Sequence, residues 1–214
     1  MTPTQIETLA RNRYNAVNDT FWSQAEIFTY LDGACLEVAR ECLLIERTYS
    51  ATTVASTQEY AFPTNTIAIK RVTWNGLKLK PITMREDDGV TGLNMTTTAT
   101  GTPQYYWTWN YTIALRPIPN AAYTLKIWSY NLPSAISSTS TLEVPSEFHW
   151  DLANYVNREM ALKDSNMNAA QEYSMLWEKS VKQMKSWSKK RKRGDAFGQV
   201  QDEEQLVESY LGTV

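Results

Sequence analysis

A β-rich, turn-punctuated block from Tyr49 to Glu143 separates two helical stretches, and it constrains this chain's fold more than any other feature. Its centre reads Phe62-Pro63-Thr64-Asn65, then Ile67-Ala68-Ile69-Lys70-Arg71-Val72-Thr73-Trp74, then Asn75-Gly76 and Leu77-Lys78-Leu79-Lys80-Pro81. β-Branched and aromatic residues between turn formers predict strands over 50–54, 59–62, 67–74 and 77–82. Asn75-Gly76 is the strongest hairpin signal, because a type I′ turn needs positive φ at both positions. A short helical turn is expected at 84–88 and a Thr- and Gly-rich loop at 91–103. Two readings are open for 105–111. As one strand, it puts Tyr105, Trp107, Trp109 and Tyr111 on one face. As a hairpin, it turns near 108–110 and returns to Arg116. The hairpin is favoured, since Asn110 suits a turn and Ile113 and Leu115 resume alternation. A further strand is expected over 122–130, with Tyr123, Leu125, Ile127 and Ser129 on one side.

The flanks carry helical periodicity. Thr2-Pro3-Thr4-Gln5 reads as an N-cap, a proline at the first helical position and a capping glutamine. Ser23-Gln24-Ala25-Glu26 reads as a second capping box. A helix then extends to about residue 46, with Ile27, Leu31, Ala34, Val38, Cys42 and Ile45 at steps of three and four. Gly33 inside it is mildly unfavourable and suits a close helix contact. After the β-block, Pro145-Ser146 opens a helix through Leu152, Val156 and Leu162. Asp164-Ser165-Asn166 breaks it, and another helix runs over 167–190 with Tyr173, Trp177, Val181, Met184 and Trp187 as its apolar stripe. So short a break makes these two helices antiparallel neighbours. The expected fold is therefore α+β. An antiparallel bundle of about four helices (1–48 and 144–190) carries an inserted small antiparallel β-lobe (49–143). An extended C-terminal arm (191–214) follows.

Hydrophobic residues make up 43% of the chain, enough for a core, and the net charge of −2 argues against wholesale nucleic-acid binding. The 8 Trp and 12 Tyr suit cores and interfaces. The first residues show no secretory signal pattern, and no stretch reaches the roughly 20 apolar residues of a membrane span. Cys35 and Cys42 lie two helical turns apart, roughly 10 Å, too far for a disulfide. They read as small buried hydrophobes in a reducing compartment.

No catalytic, metal or cofactor constellation emerges. His149 is the one histidine, and its place between Phe148 and Trp150 suits packing or capping. Zinc ligand clusters, phosphate-cradling glycine motifs and dinucleotide fingerprints are missing from the sequence. The runs Glu86-Asp87-Asp88 and Asp202-Glu203-Glu204 lack calcium-loop spacing and read as solvated loops. The basic run Lys189-Lys190-Arg191-Lys192-Arg193 offsets a helix dipole and can also meet an acidic partner. Its neighbourhood to Trp187 keeps a nucleic-acid-binding module as an alternative. The aromatic segment 105–111 keeps a carbohydrate-binding tail component as another. After the basic run the chain has too few apolar residues to fold alone.

Several local patterns occur in a telling order. Val17-Asn18-Asp19-Thr20-Phe21-Trp22-Ser23-Gln24-Ala25-Glu26, followed by Tyr30-Leu31-Asp32-Gly33-Ala34, resembles the opening helices of head-to-tail adaptor (connector or gatekeeper) proteins of tailed bacteriophages. Phe62-Pro63, Ile69-Lys70-Arg71-Val72, Asn75-Gly76 with Leu79 and Pro81, Thr102-Pro103 with Tyr105-Tyr106, and Leu115-Arg116-Pro117 with Pro119 are similar to that family's middle region. The return to helix from Val144-Pro145-Ser146 through Tyr155, Arg158, Ala161 and Asp164 matches as well. The resemblance covers most of 1–190; the basic run and tail depart from it.

This resemblance implies a structural protein of the virion, assembled in the host cytoplasm and without enzymatic activity or cofactor. It implies a dodecameric homo-oligomeric ring under the portal. The ring extends the DNA channel used in ejection and gives the tail or nozzle protein a docking platform, without sequence-specific DNA contact or a membrane. Portal contacts are expected from Lys189, Lys190, Arg191, Lys192, Arg193, Phe197, Leu206, Tyr210 and Leu211. Subunit or tail contacts are expected from Tyr105, Trp107, Trp109 and Trp74.

Overall fold

The computed structural model describes residues 1–87 and 99–192. Two helices open it, α1 (Pro3–Arg13) and α2 (Gln24–Cys42). Thr2 and Gln5 form the reciprocal capping box expected at α1. Ser23 caps α2 through the Glu26 N–H at 3.3 Å. Glu26 does not reach back, because its carboxylate takes the Tyr30 hydroxyl at 2.7 Å and Lys163 Nζ at 2.6 Å instead. α2 also stops earlier than its periodicity predicts. Leu43 enters the left-handed region at φ 51°, its N–H returns to the Ala39 carbonyl, and the chain leaves the helix.

The first strand, β1 (Glu46–Thr52), therefore begins where the helix was expected to end. β2 (Glu59–Ala61), β3 (Thr66–Trp74), β4 (Leu77–Lys78) and β5 (Lys80–Pro81) follow, then a short helix α3 (Met84–Asp87). β6 (Thr100–Gly101), β7 (Tyr105–Trp109), β8 (Thr112–Arg116), β9 (Ile118–Pro119) and β10 (Thr124–Asn131) complete the strands. A 3₁₀ turn over Ser146–Phe148 leads into α4 (His149–Lys163), and α5 (Met167–Lys192) closes the described chain. The predicted loop at 91–103 lies partly outside the described residues; inside them, Thr100–Gly101 pairs as β6.

The strands form two four-stranded sheets, ordered β1-β10-β3-β4 and β2-β8-β7-β5, and a two-stranded β6-β9 pair. The long ladders are antiparallel, but β5 pairs β7 and β6 pairs β9 in parallel, so the lobe is not wholly antiparallel. The stretch read as one strand over 77–82 divides in two. Leu79 donates its N–H to the Val72 carbonyl at 3.0 Å, and the next residue, Lys80, donates to the Gln104 carbonyl at 2.9 Å. The chain thereby crosses from one sheet to the other, and Leu79 is buried between them. Val72, Trp74, Leu125 and Ile127 from the first sheet meet Tyr106, Ile113 and Leu115 from the second. Each such fully buried side chain contributes about 1.5–3 kcal/mol.

The helices share a separate core of Ile6, Ile27, Leu31, Val38, Leu152, Val156, Met160, Trp177 and Met184 among others. α4 and α5 run antiparallel: Tyr155 meets Trp177, Asp151 accepts from Ser180, and Phe148 meets Trp187. α2 lies across both. Tyr155 of α4 packs where a Cβ on Gly33 would sit 3.2 Å from its hydroxyl, so the glycine marks a close helix contact. Trp177 donates its indole N–H to Glu37 at 2.8 Å. Cys35 and Cys42 are buried thiols outside any disulfide, and burial pushes Cys35 up to about 12.

Candidate functional site

The hairpin reading of 105–111 is the one the chain adopts, with its turn one residue later than expected. β7 and β8 close around Asn110 and Tyr111, at φ 42° and 58°. Both values are left-handed, the requirement of a type I′ turn. Asn tolerates that region; Tyr does so with strain. Here the Tyr111 carbonyl accepts from Phe62 N–H at 3.0 Å, and its ring stands edge-on to Phe62 with centroids 6.0 Å apart.

The four tryptophan and tyrosine positions singled out in the sequence separate in space. Trp109 is 66% exposed at the hairpin end. Trp107 and Tyr105 are half-buried. Trp107 donates its indole N–H to Asp87 Oδ2 at 2.9 Å, tying α3 to the hairpin. Trp74 is 2% exposed in the sandwich core, where its indole N–H donates to Thr53 Oγ1 at 3.0 Å, so it offers nothing to a partner. Asp87, read as part of a solvated acidic run, is likewise inside. It accepts from Arg116 Nε and, at 2.9 Å, from Arg116 Nη2. Sequence spacing could not pair residues this far apart.

Beside the hairpin lies a cleft of about 520 Å³, lined by Thr66–Ile69 of β3, Pro81, Ile82, Phe62 and the residues from Tyr106 to Tyr111. No charged side chain is among its lining residues. Sequence patterning hints at strands around Phe62 and Ile67, but only the folded chain brings them to one cleft with Trp107 and Trp109.

The second surface is basic. Lys189, Lys190 and Arg191 are exposed at the end of α5, and the Arg191 guanidinium sits 5.2 Å above the Trp187 ring. Ser188 anchors this end by donating to the Cys42 carbonyl at 2.6 Å. Lys192 is the last helical residue, while Arg193, Phe197, Leu206, Tyr210 and Leu211 lie outside the described residues. The helix end approaches the first sheet. Burial raises the Tyr130 phenol, against the lowering pull of Lys70 and of Arg191. On the same sheet Arg71 and Lys126 lie 5.3 and 5.0 Å from the Trp128 ring centre. Arg71 pairs with Trp128 across β3 and β10, a relation legible only once register is known.

His149 is buried, with Nε2 2.7 Å from the Val144 carbonyl oxygen and Nδ1 2.6 Å from the Met1 amino group. Among the described residues no group of His, Cys, Asp and Glu could hold a metal ion, and no helix is long and apolar enough to cross a membrane.

Exposed aromatics lie beside an uncharged cleft, and α5 ends in exposed cations. Residues 1–201 match the SU10 adaptor protein family, and the chain belongs to that family. It is thus a structural adaptor of a bacteriophage, a virion component from a non-enzymatic family that engages portal and tail components. The match extends through the basic run, beyond the stretch that carried the sequence resemblance. No curated protein matches the chain.

Proposed function

We propose that this protein is a head-to-tail adaptor that assembles as a ring under the phage portal, extends the DNA channel and gives the tail its docking platform. The family match carries this reading. Its surfaces give the parts distinct roles. α1, α2, α4 and α5 form the four-helix antiparallel frame, residues 1–48 and 144–190. The lobe, 49–143, meets neighbouring subunits or the tail through Tyr105, Trp107 and Trp109, since aromatic side chains bury large area with few torsions to freeze. The arm, 191–214, meets the portal, led by the exposed cations Lys189, Lys190 and Arg191. An arm with sparse apolar anchors loses entropy on docking, and its contacts must offset that loss.

Co-sedimentation with purified portal rings tests the reading. The full chain should sediment with the portal, and the charge-reversed variant Lys189→Glu, Lys190→Glu, Arg191→Glu should do so weakly and with less salt dependence. Equal sedimentation of both would remove the basic end from the docking surface. A nucleic-acid interface is the second reading, favoured by Arg71 and Lys126 about Trp128. It requires binding to short DNA that falls steeply with salt; absence of binding at low salt excludes it.

A further inference from the structure

Two strand edges stand open across the cleft. β4 runs along β3 only at Thr73 and Trp74, and Leu79 N–H to the Val72 carbonyl is the last bond on that side. β5 runs along β7 only at Tyr105 and Tyr106, with Ile82 N–H donating to the Tyr106 carbonyl at 2.9 Å. Among the described residues no strand lies along β3 before Val72, or along β7 beyond Tyr106, on the cleft side. The crossing chain thus leaves Thr66–Ile69 and Trp107–Trp109 lining one cleft. Open strand edges between uncharged walls are the recognition chemistry of an added strand. The uncharged lining selects apolar and aromatic side chains.

One segment of this chain carries apolar and aromatic residues, with Glu208 its one charged side chain, and has the reach. Residues 205–214 read Gln205-Leu206-Val207-Glu208-Ser209-Tyr210-Leu211-Gly212-Thr213-Val214. Ser188 ties the end of α5 to the Cys42 carbonyl at 2.6 Å, four residues before β1, whose Glu46 pairs with Tyr130, and Tyr130 pairs with Ala68 in the cleft wall. Residues 193–204 span up to roughly 40 Å when extended, ample for the distance between neighbouring elements. Charge fixes the direction. Asp202-Glu203-Glu204 precedes the segment, and Arg71 follows the wall residue Ile69 along β3, next to Lys70, whose ammonium meets Glu46 at 3.0 Å. Placing the acids against Arg71 runs the segment antiparallel to β3, toward Thr66.

We propose that this cleft is the docking site of the chain's own residues 205–214, added as a strand antiparallel to β3. Resting on the portal-binding reading of the arm, it follows that cleft and portal compete for one segment. The arm is then held on its own subunit until the portal draws it out.

Hydrogen exchange on the full chain tests this, comparing it with a full-length variant carrying Leu206→Asp, Tyr210→Asp and Leu211→Asp. Both described cores are built without these three residues, so the fold should persist. Amides at 67–70 and 107–109 should exchange roughly tenfold or more faster in the variant, with the helical core unchanged. Equal exchange in the two proteins overturns the proposal. Protection that grows with protein concentration, together with a larger mass by light scattering, assigns the strand to a second copy and overturns docking within one chain. Portal co-sedimentation of the same variant is read separately. Lost sedimentation with unchanged exchange sinks the cleft site alone; faster exchange with undiminished sedimentation sinks the arm's portal role alone.

Discussion

Trp74 and Trp109 carry the sharpest test of which aromatics hold the lobe and which face a partner. Trp74 is 2% exposed, and Trp109 is 66% exposed. The Trp74 ring stands edge-on to Tyr123 at 4.9 Å and its N–H reaches Thr53. Trp74→Ala removes the transfer energy of the ring and leaves a cavity, at a cost of about 3–5 kcal/mol. With a urea slope of about 2 kcal/mol per molar, the unfolding midpoint should fall by roughly 1.5–2.5 M. Trp74→Phe keeps most of the volume and loses the indole hydrogen bond, worth about 1 kcal/mol. Trp109→Ala leaves no cavity, so its cost should stay within about 0.5 kcal/mol, a shift of roughly 0.25 M. In the proposed ring the order should invert. Loss of an aromatic anchor worth about 2 kcal/mol weakens association roughly thirtyfold. Urea unfolding followed by far-UV circular dichroism reads the first quantity, and analytical ultracentrifugation of the assembly reads the second. A Trp109→Ala midpoint as low as that of Trp74→Ala would refute the division into core and surface, as would a Trp74→Ala midpoint that does not move.

Gly33→Leu should destabilise the helical frame by about 1–3 kcal/mol, because Tyr155 fills the space a side chain needs; Tyr155→Ala in the same chain should recover part of the loss, and simple additivity in the double-mutant cycle would disprove the contact. His149 faces the Val144 carbonyl, the Met1 amino group and Glu147, and burial chiefly lowers its pKa from the usual 6.5. Its stabilising contribution is complete above that unfolded value and is lost as pH falls through the lower folded one, because the unfolded chain then binds the proton more readily. Denaturant midpoints should therefore drop on acidification, and less so in His149→Gln; identical pH profiles would count against it. Deleting residues 194–214 should leave the helical core folded and weaken portal docking, whereas docking equal to that of the full chain would remove the arm from the interface.

Local chemistry made some of this fold legible. Thr2 and Gln5 cap α1 as their types require, Asn75-Gly76 turns β3 into β4, and Asn110 marks the β7–β8 turn. Long-range pairing did not show. α2 ends at Cys42 because Leu43 takes a left-handed cap that no glycine announces. β1 alternates between exposed and half-buried positions rather than buried ones, so its first residues, Glu46-Arg47-Thr48, carry no apolar signal. Trp74 and Trp109 belong to one residue type with opposite placements, decided by the ladder each strand joins. Asp87 reaches Arg116 across 29 residues, and no spacing rule foretells that pair. The candidate site suffers the same limit: the cleft exists only because β4 and β5 leave their partners early.

Electron microscopy of purified portal rings mixed with this protein tests the central claim most directly. The account requires a ring of this chain stacked coaxially on the portal, helical frame and lobe resolved, with Trp109 at a boundary between subunits or toward the tail side. Portal rings that carry no added density, under conditions where the protein remains folded, would contradict it.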